Sequence, residues 1–244
     1  MTAYQGTFKR VEKKYRLDMG QYRRLLARAG GHLQPDRFAE SRIGNIYYDT
    51  PDSRLIRASL DKPVYKEKLR LRCYGVPEDD SPVFVELKKK YKGVVYKRRV
   101  RMPLGIAEGY LAGTCPPAEP GQITREIDWF RSRYPGLAPA MYLSYERKAF
   151  CGREDSGLRI TFDRRILWRR DTLDLTAGPG GSPLLAPDEL LMEVKCPGAM
   201  PLWLAEALSE LAIWPSTFSK YGNAYKESLL TAEAAQALGG IDCA

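Results

Sequence analysis

Residues 66–75 read KEKLRLRCYG, and the period of that stretch decides the fold. At a spacing of two, Lys66, Lys68, Arg70 and Arg72 fall on one side, and Glu67, Leu69, Leu71 and Cys73 on the other. Side chains alternate across a β-strand, so this strand presents four cations on one face and a mainly apolar face opposite. Five further segments divide in the same way. Arg10, Glu12, Lys14 and Arg16 oppose Val11, Tyr15 and Leu17, while Glu86, Lys88 and Lys90 oppose Val83, Val85 and Leu87. Lys97, Arg99 and Arg101 oppose Val94, Tyr96, Val100 and Met102. Arg159, Thr161, Asp163 and Arg165 oppose Leu158, Ile160 and Phe162, and Glu189, Glu193 and Lys195 oppose Leu190, Met192 and Val194.

An antiparallel sheet with one wet face also alternates. Such a face mixes Thr, Ser and Gln with charges of both signs, whereas Lys and Arg dominate here. On paired strands, like charges lie roughly 5–7 Å apart, a repulsion of about 2–3 kcal/mol per close pair before screening. Repeated on strand after strand, that cost points to a bound polyanion. A sheet curled with its charged face inward encloses a cationic lumen and leaves its apolar face for helices. The expected fold is therefore α+β: an antiparallel eight-stranded closed β-barrel with helices packed outside. Strands are expected at 8–17, 43–49, 64–74, 82–90, 93–102, 141–150, 157–166 and 189–196. Helices are expected at 18–30, 125–134 and 201–214 and from residue 220 onward, the last capped by Ser219, with a Gly- and Pro-rich loop at 176–187. No break in composition divides the chain, which reads as one domain over 1–244 with a core of about 8–230.

The whole chain agrees with an anionic partner. Its 244 residues hold 39 Lys and Arg against 30 Asp and Glu, a formal charge of +9. The single histidine, His32, sits in GGHLQP, which removes Ser-His-Asp and Cys-His mechanisms. No CxxC occurs among the five cysteines, and no GxxxxGK[ST] occurs to make a P-loop. A basic sheet that binds RNA or single-stranded DNA offers aromatics for base stacking. The charged faces here carry only Phe8, Tyr74 and Phe84, mostly at strand ends, so no nucleic acid is expected. The N-terminus lacks a signal-peptide pattern and no window is apolar enough to span a membrane, so a cytoplasmic location is expected.

In this order, RVEKKYRL, NIYYDT, KLRLRCYG, VFVELKKK, YERKAF, LRITFD, LMEVKCPG and STFSKYGNAY resemble the VTC domain. That is the catalytic domain of the vacuolar transporter chaperone complex and its bacterial relatives, a branch of the triphosphate tunnel metalloenzymes. The resemblance runs from about Lys9 to Tyr225. It implies a tunnel barrel that uses a divalent metal, Mn²⁺ or Mg²⁺, and makes polyphosphate from ATP with release of ADP. Pyrophosphate or triphosphate are further ligands it implies. The catalytic set it implies is Lys14, Arg70, Arg72, Lys88, Arg147 and Lys220. Arg10, Lys68, Lys97, Arg99, Lys195 and Ser219 would join them as substrate-binding residues, with Glu193 and Glu12 as metal ligands. Glu86 and Asp163 read instead as internal counter-ions. Arg147 shares its face with Leu143, Tyr145 and Ala149, so alternation does not place it; the resemblance alone does, and a β-bulge would reconcile the two. The superfamily's ExExK signature appears only as Glu12-Lys13-Lys14, with one glutamate, which favours the VTC branch. A tunnel-type triphosphatase or polyphosphatase, and a non-catalytic binder of polyphosphate or RNA, are the alternatives.

Overall fold

A computed structural model describes residues 11–61, 63–92 and 94–239; Phe8 and Arg10 lie outside the described residues. The chain runs β1 (Val11–Asp18), α1 (Met19–Ala29), β2 (Leu33–Asp49), α2 (Arg54–Leu60), β3 (Tyr65–Tyr74), β4 (Pro82–Tyr91), β5 (Val94–Pro103), α3 (Leu104–Ala112) and α4 (Gln122–Arg133). It continues with β6 (Ala138–Gly152), β7 (Arg159–Arg169), β8 (Ser182–Pro183), β9 (Glu189–Cys196), α5 (Leu202–Glu210), β10 (Pro215–Ser216) and α6 (Lys220–Gly239). The strands form one antiparallel sheet in the order β10-β1-β9-β7-β6-β2-β3-β4-β5, with β8 attached to β7.

This corrects the expected closed barrel, because among the described residues no ladder joins the two ends of the sheet. One end strand, β10, is two residues long and includes Pro215, which has no N–H to extend a ladder. The other, β5, carries Lys97, Arg99 and Arg101 along its charged face. Instead the sheet curls, and the segment before α6 bridges its inner face. Lys14 Nζ donates to the Phe218 carbonyl at 2.9 Å from one side, and Lys68 Nζ reaches Ser219 Oγ at 3.3 Å from the other.

Two cores lie on the convex face. Leu69, Leu71, Val83, Val85 and Leu87 pack beneath α3 and α4 through Leu104, Tyr110, Ile127 and Phe130. Tyr15, Leu17, Ile160, Phe162 and Met192 pack beneath α1 and α5 through Leu25, Leu204 and Leu208. These are the apolar sides of the alternating strands, and their burial drives the curl. The start of α1 is fixed by Asp18, whose Oδ1 accepts from the Gln21 N–H at 2.7 Å while the Gln21 side chain accepts from the Asp18 N–H. A third core lies on the concave side, where α6 seats Tyr221 and Ala224 against Tyr47, Met141, Leu143, Tyr145 and Leu191.

Within β7 the sheet departs from simple alternation. Pairing of β6 with β7 shifts between Ser144 and Glu146, where β7 holds one extra residue, and Arg165 takes a φ of 49°. This bulge turns Arg165 outward to Glu146 and brings Ile166 into the concave core, correcting the expectation that Arg165 shares a face with Asp163. The β6 strand itself keeps its alternation. Leu143 and Tyr145 are apolar and concave because α6 covers them, and Arg147 follows them inward without needing a bulge in its own strand.

Candidate functional site

Across β3, β4 and β5 the strand registers align the concave side chains in four rungs. These are Arg72, Phe84 and Arg101; Arg70, Glu86 and Arg99; Lys68, Lys88 and Lys97; and Lys66, Lys90 and Val95. Successive rungs lie two residues apart, about 6.7 Å. Arginines thus occupy one end and lysines the other. Glu86, 1% exposed, is the single carboxylate among them. Its Oε2 accepts from Arg70 Nε at 2.7 Å, and its Oε1 lies 2.6 Å from Lys97 Nζ and 3.9 Å from Arg99 Nε. Burial pushes the Glu86 pKa up, but Arg70, Arg72 and Lys97 overcome it and hold the carboxyl at about 2. Burial likewise depresses Lys97 to about 8, against the pull of Glu86. Lys68 is also depressed to about 8, again by burial, with Tyr47 opposing the shift and Lys66, Lys88 and Lys14 adding to it.

On the far wall, β1, β9, β7 and β6 build a more balanced cluster. Glu193 is faced by Lys195 at 3.2 Å, Lys220 at 3.4 Å, Lys14 at 3.5 Å and Arg147 at 3.9 Å. Burial alone would raise its pKa; these four cations hold it well below the usual carboxylate range. Asp163, fully buried, accepts two hydrogen bonds from Arg147 at 2.6 and 2.7 Å and contacts Lys220 Nζ at 2.6 Å. Glu12 lies 3.9 Å from Lys14, the same ammonium that Glu193 approaches. Lys88 is drawn down by burial, opposed by Glu12 on β1, so the two walls face one another across the curl.

All the described residues singled out from the sequence share this concave face: Lys14, Lys68, Arg70, Arg72, Lys88, Lys97, Arg99, Arg147, Lys195, Lys220, Glu12 and Glu193. Ser219 joins them as the cap of α6, accepting from the Gly222 N–H at 3.1 Å. Arg10 lies outside the described residues. Three residues that the sequence reading passed over complete the site. Tyr47 accepts from Arg70 Nη1 at 3.0 Å, Tyr145 accepts from Arg72 Nη2 at 3.0 Å, and Asn45 accepts from Arg72 Nε at 2.9 Å. Tyr47 stacks on Tyr221 with ring centroids 4.4 Å apart, and Lys220 lies 4.6 Å from the Tyr145 ring centre. Burial would raise the Tyr47 pKa, but Arg70, Lys68 and Arg72 bring it down to about 8. Alternation in NIYYD puts Asn45 and Tyr47 on one side, yet neither is charged, so nothing marked that side as the concave one.

The oxygen donors beside Glu193 suit a hard divalent cation. Thr161 pairs with Glu193 across the β7–β9 ladder, and its buried Oγ1 has no hydrogen-bond partner among the described residues. Glu193, Glu12 and the Thr161 hydroxyl are the oxygens present, and Mg²⁺ or Mn²⁺ takes its remaining ligands from water and phosphate. Among the described residues no group of three or more His, Cys, Asp or Glu side chains comes together to hold a metal by itself, so such a cation fits as a partner of bound phosphate.

Three solved structures share the fold. A putative adenylate cyclase from Bacillus halodurans aligns with a TM-score of 0.55 at 15% identity, over 88% of this chain and 96% of its own. A putative adenylate cyclase from Vibrio parahaemolyticus aligns at 0.50 and 17%, over 92% and 99%. A putative adenylyl cyclase from Hippeastrum, described as having a dominant triphosphatase activity, aligns at 0.52 and 16%, over 89% and 96%. No curated protein matches the sequence. The VTC domain family matches residues 9–229, nearly the whole chain and every described residue of the site. The chain belongs to the VTC domain family.

Proposed function

We propose that this protein is a metal-dependent polyphosphate polymerase that transfers the γ-phosphoryl group of ATP onto the end of a growing polyphosphate chain. The observation that carries this reading is the charge imbalance of the concave face. The four rungs of β3–β5 hold one carboxylate, Glu86, against nine Lys and Arg side chains. A polyanion neutralises that excess, and phosphoryl transfer asks chiefly for charge neutralisation and alignment. Arg70 and Arg72, oriented by Glu86, Tyr47, Asn45 and Tyr145, grip phosphate oxygens through paired N–H donors. Lys14, Arg147, Lys195 and Lys220 surround the transferring group on the opposite wall. Glu193 and Glu12 would hold the divalent cation, which offsets charge on the phosphate oxygens when bound.

In the transfer, an anionic oxygen of the chain end bonds to the γ-phosphorus and the bond to the β–γ bridging oxygen breaks. ADP leaves, and no proton has to be removed. Hydrolysis is the second reading, favoured by the triphosphatase activity described for the Hippeastrum relative. Water, unlike a phosphate oxygen, needs a base. Among the described residues the buried concave carboxylates Glu86, Asp163 and Glu193 are all within 4 Å of a cation that lowers the pKa, which makes each a poor base. Incubation with ATP and Mn²⁺ or Mg²⁺ decides between them. Long-chain polyphosphate with ADP supports the polymerase, orthophosphate in step with ADP supports the hydrolase, and no turnover of any triphosphate or polyphosphate overturns both.

A further inference from the structure

The rungs of β3–β5 differ in more than charge. At the lysine end, Lys68, Lys88, Lys97, Lys66 and Lys90 present point charges, and the only other concave side chain is Val95. At the arginine end, Phe84 lies between Arg72 and Arg101, and the Arg99 guanidinium sits over its ring, 3.4 Å from the centroid. Tyr74, the last residue of β3, meets Phe84 edge-on with centroids 5.8 Å apart, lies 6.0 Å from the Arg99 guanidinium and is 47% exposed. A large exposed ring beside a half-exposed guanidinium contributes nothing to a core and is unneeded for gripping phosphate. Aromatic faces and guanidinium planes are what nucleobases stack on.

We infer that Tyr74, Phe84 and Arg99 form a nucleobase platform at the arginine end of the concave face, which takes the base of a nucleoside triphosphate whose phosphates reach Arg70 and Arg72. This inference rests on the proposed use of ATP and adds direction to it. The nucleotide enters by the aromatic end, and the phosphate chain, which has no base, lies along the lysine rungs. A featureless polyanion needs only charge there, which lysine supplies without a preferred plane. Stacking is tolerant of base identity, so ATP and GTP are held about equally.

The test is equilibrium binding of ATP and of inorganic tripolyphosphate, without turnover, to the wild type and to Tyr74→Ala, Phe84→Leu and Tyr74→Phe. Loss of the ring in Tyr74→Ala, or of the aromatic face in Phe84→Leu, is expected to weaken ATP roughly tenfold. Tripolyphosphate, which has no base, should change less than about twofold and also shows that each variant is folded. Tyr74→Phe keeps the ring and should bind ATP as the wild type does. Equal weakening of both ligands, or unchanged ATP binding in Tyr74→Ala and Phe84→Leu, overturns the platform while leaving the triphosphate site standing. A wild type that binds neither ligand overturns the proposed function and the platform together.

Discussion

Lys220 Nζ, on the first residue of α6, lies 2.6 Å from Oδ2 of Asp163, a carboxylate with no exposure at all. The same ammonium reaches Glu193 at 3.4 Å, so the helix is anchored to the sheet by a charge inside the site. Burial would lower the Lys220 pKa, but Asp163 and Glu193 overcome it and pull the value upward. Removing one partner of such a pair strands the other, at a cost of about 3–5 kcal/mol. Lys220→Met should therefore lower stability by that order in a denaturant titration. The double variant Lys220→Met with Asp163→Asn should recover only part of it, since no carboxylate then lacks the ammonium but Arg147 loses the charged partner of its two hydrogen bonds. No recovery in the double variant would place the loss elsewhere.

Arg70 and Glu193 should separate binding from turnover. Arg70→Ala removes a guanidinium held at 2.7 Å by Glu86 and should weaken tripolyphosphate binding about 100-fold or more, as expected for a charge-assisted bidentate contact. Glu193→Gln removes a negative charge from among four cations. Tripolyphosphate should bind it at least as tightly as the wild type, while turnover with Mn²⁺ or Mg²⁺ falls by about 100-fold or more. If Glu193→Gln turns over normally, its assignment to the metal is wrong.

Alkaline pH should loosen the site. Lys68 and Lys97 have pKa values lowered to about 8, so each carries its charge at pH 7 and sheds it by pH 9. Tyr47, at about 8, gains a negative charge over the same interval. Tripolyphosphate affinity should fall about tenfold per lysine between pH 7 and 9. Binding near pH 8 should also take up protons, because the polyanion favours the charged lysines; calorimetry in buffers of different ionisation enthalpy measures that uptake.

Acid acts through Glu86. Its folded pKa is depressed to about 2, so the stability it contributes is fully present above the unfolded value of 4.5 and is lost as pH falls toward 2. The shift corresponds to roughly 3 kcal/mol. Unfolding free energies measured from pH 5 to pH 2 should fall less steeply in Glu86→Gln than in the wild type.

The β7 bulge predicts a stabilising substitution. Arg165 has a φ of 49° and a side chain that is 74% exposed, and its contact with Glu146 is at 3.3 Å on the surface. An L-residue pays for that backbone, whereas glycine does not. Arg165→Gly should be neutral or raise stability by up to about 1 kcal/mol, and Arg165→Val should lower it. Thermal melts of the two variants compare them directly.

Alternation alone made the charged face legible, because a two-residue period on strands with a dry convex side leaves Lys and Arg only one direction to point. Glu86 and Asp163 were legible as counter-ions for the same reason. Closure was not legible. Whether a sheet completes its ladder depends on its end strands, and a two-residue strand at Pro215 has no periodic signature. Helix α3, LGIAEGYLA, carries apolar residues on all sides and two glycines, so it shows no stripe, and the seven residues of α2 are too few to show one. The first half of β2 was missed because its pairing with β6 breaks between Pro35 and Glu40. Tyr47 and Tyr145 were invisible as site residues because their role depends on the arginines their hydroxyls meet, which no local pattern encodes.

The bridge from Lys14 to Phe218 and from Lys68 to Ser219 makes the enclosure a clasp rather than a hoop. A hoop of ladder hydrogen bonds would force a long chain to thread through end-first and to leave the same way. Such a clasp is fastened by side chains, the two lysines together with Lys220 on Asp163 and Tyr221 on Tyr47, and not by a ladder. Under the proposed function, a filament of any length is laid in, or let go, from the side where the clasp parts.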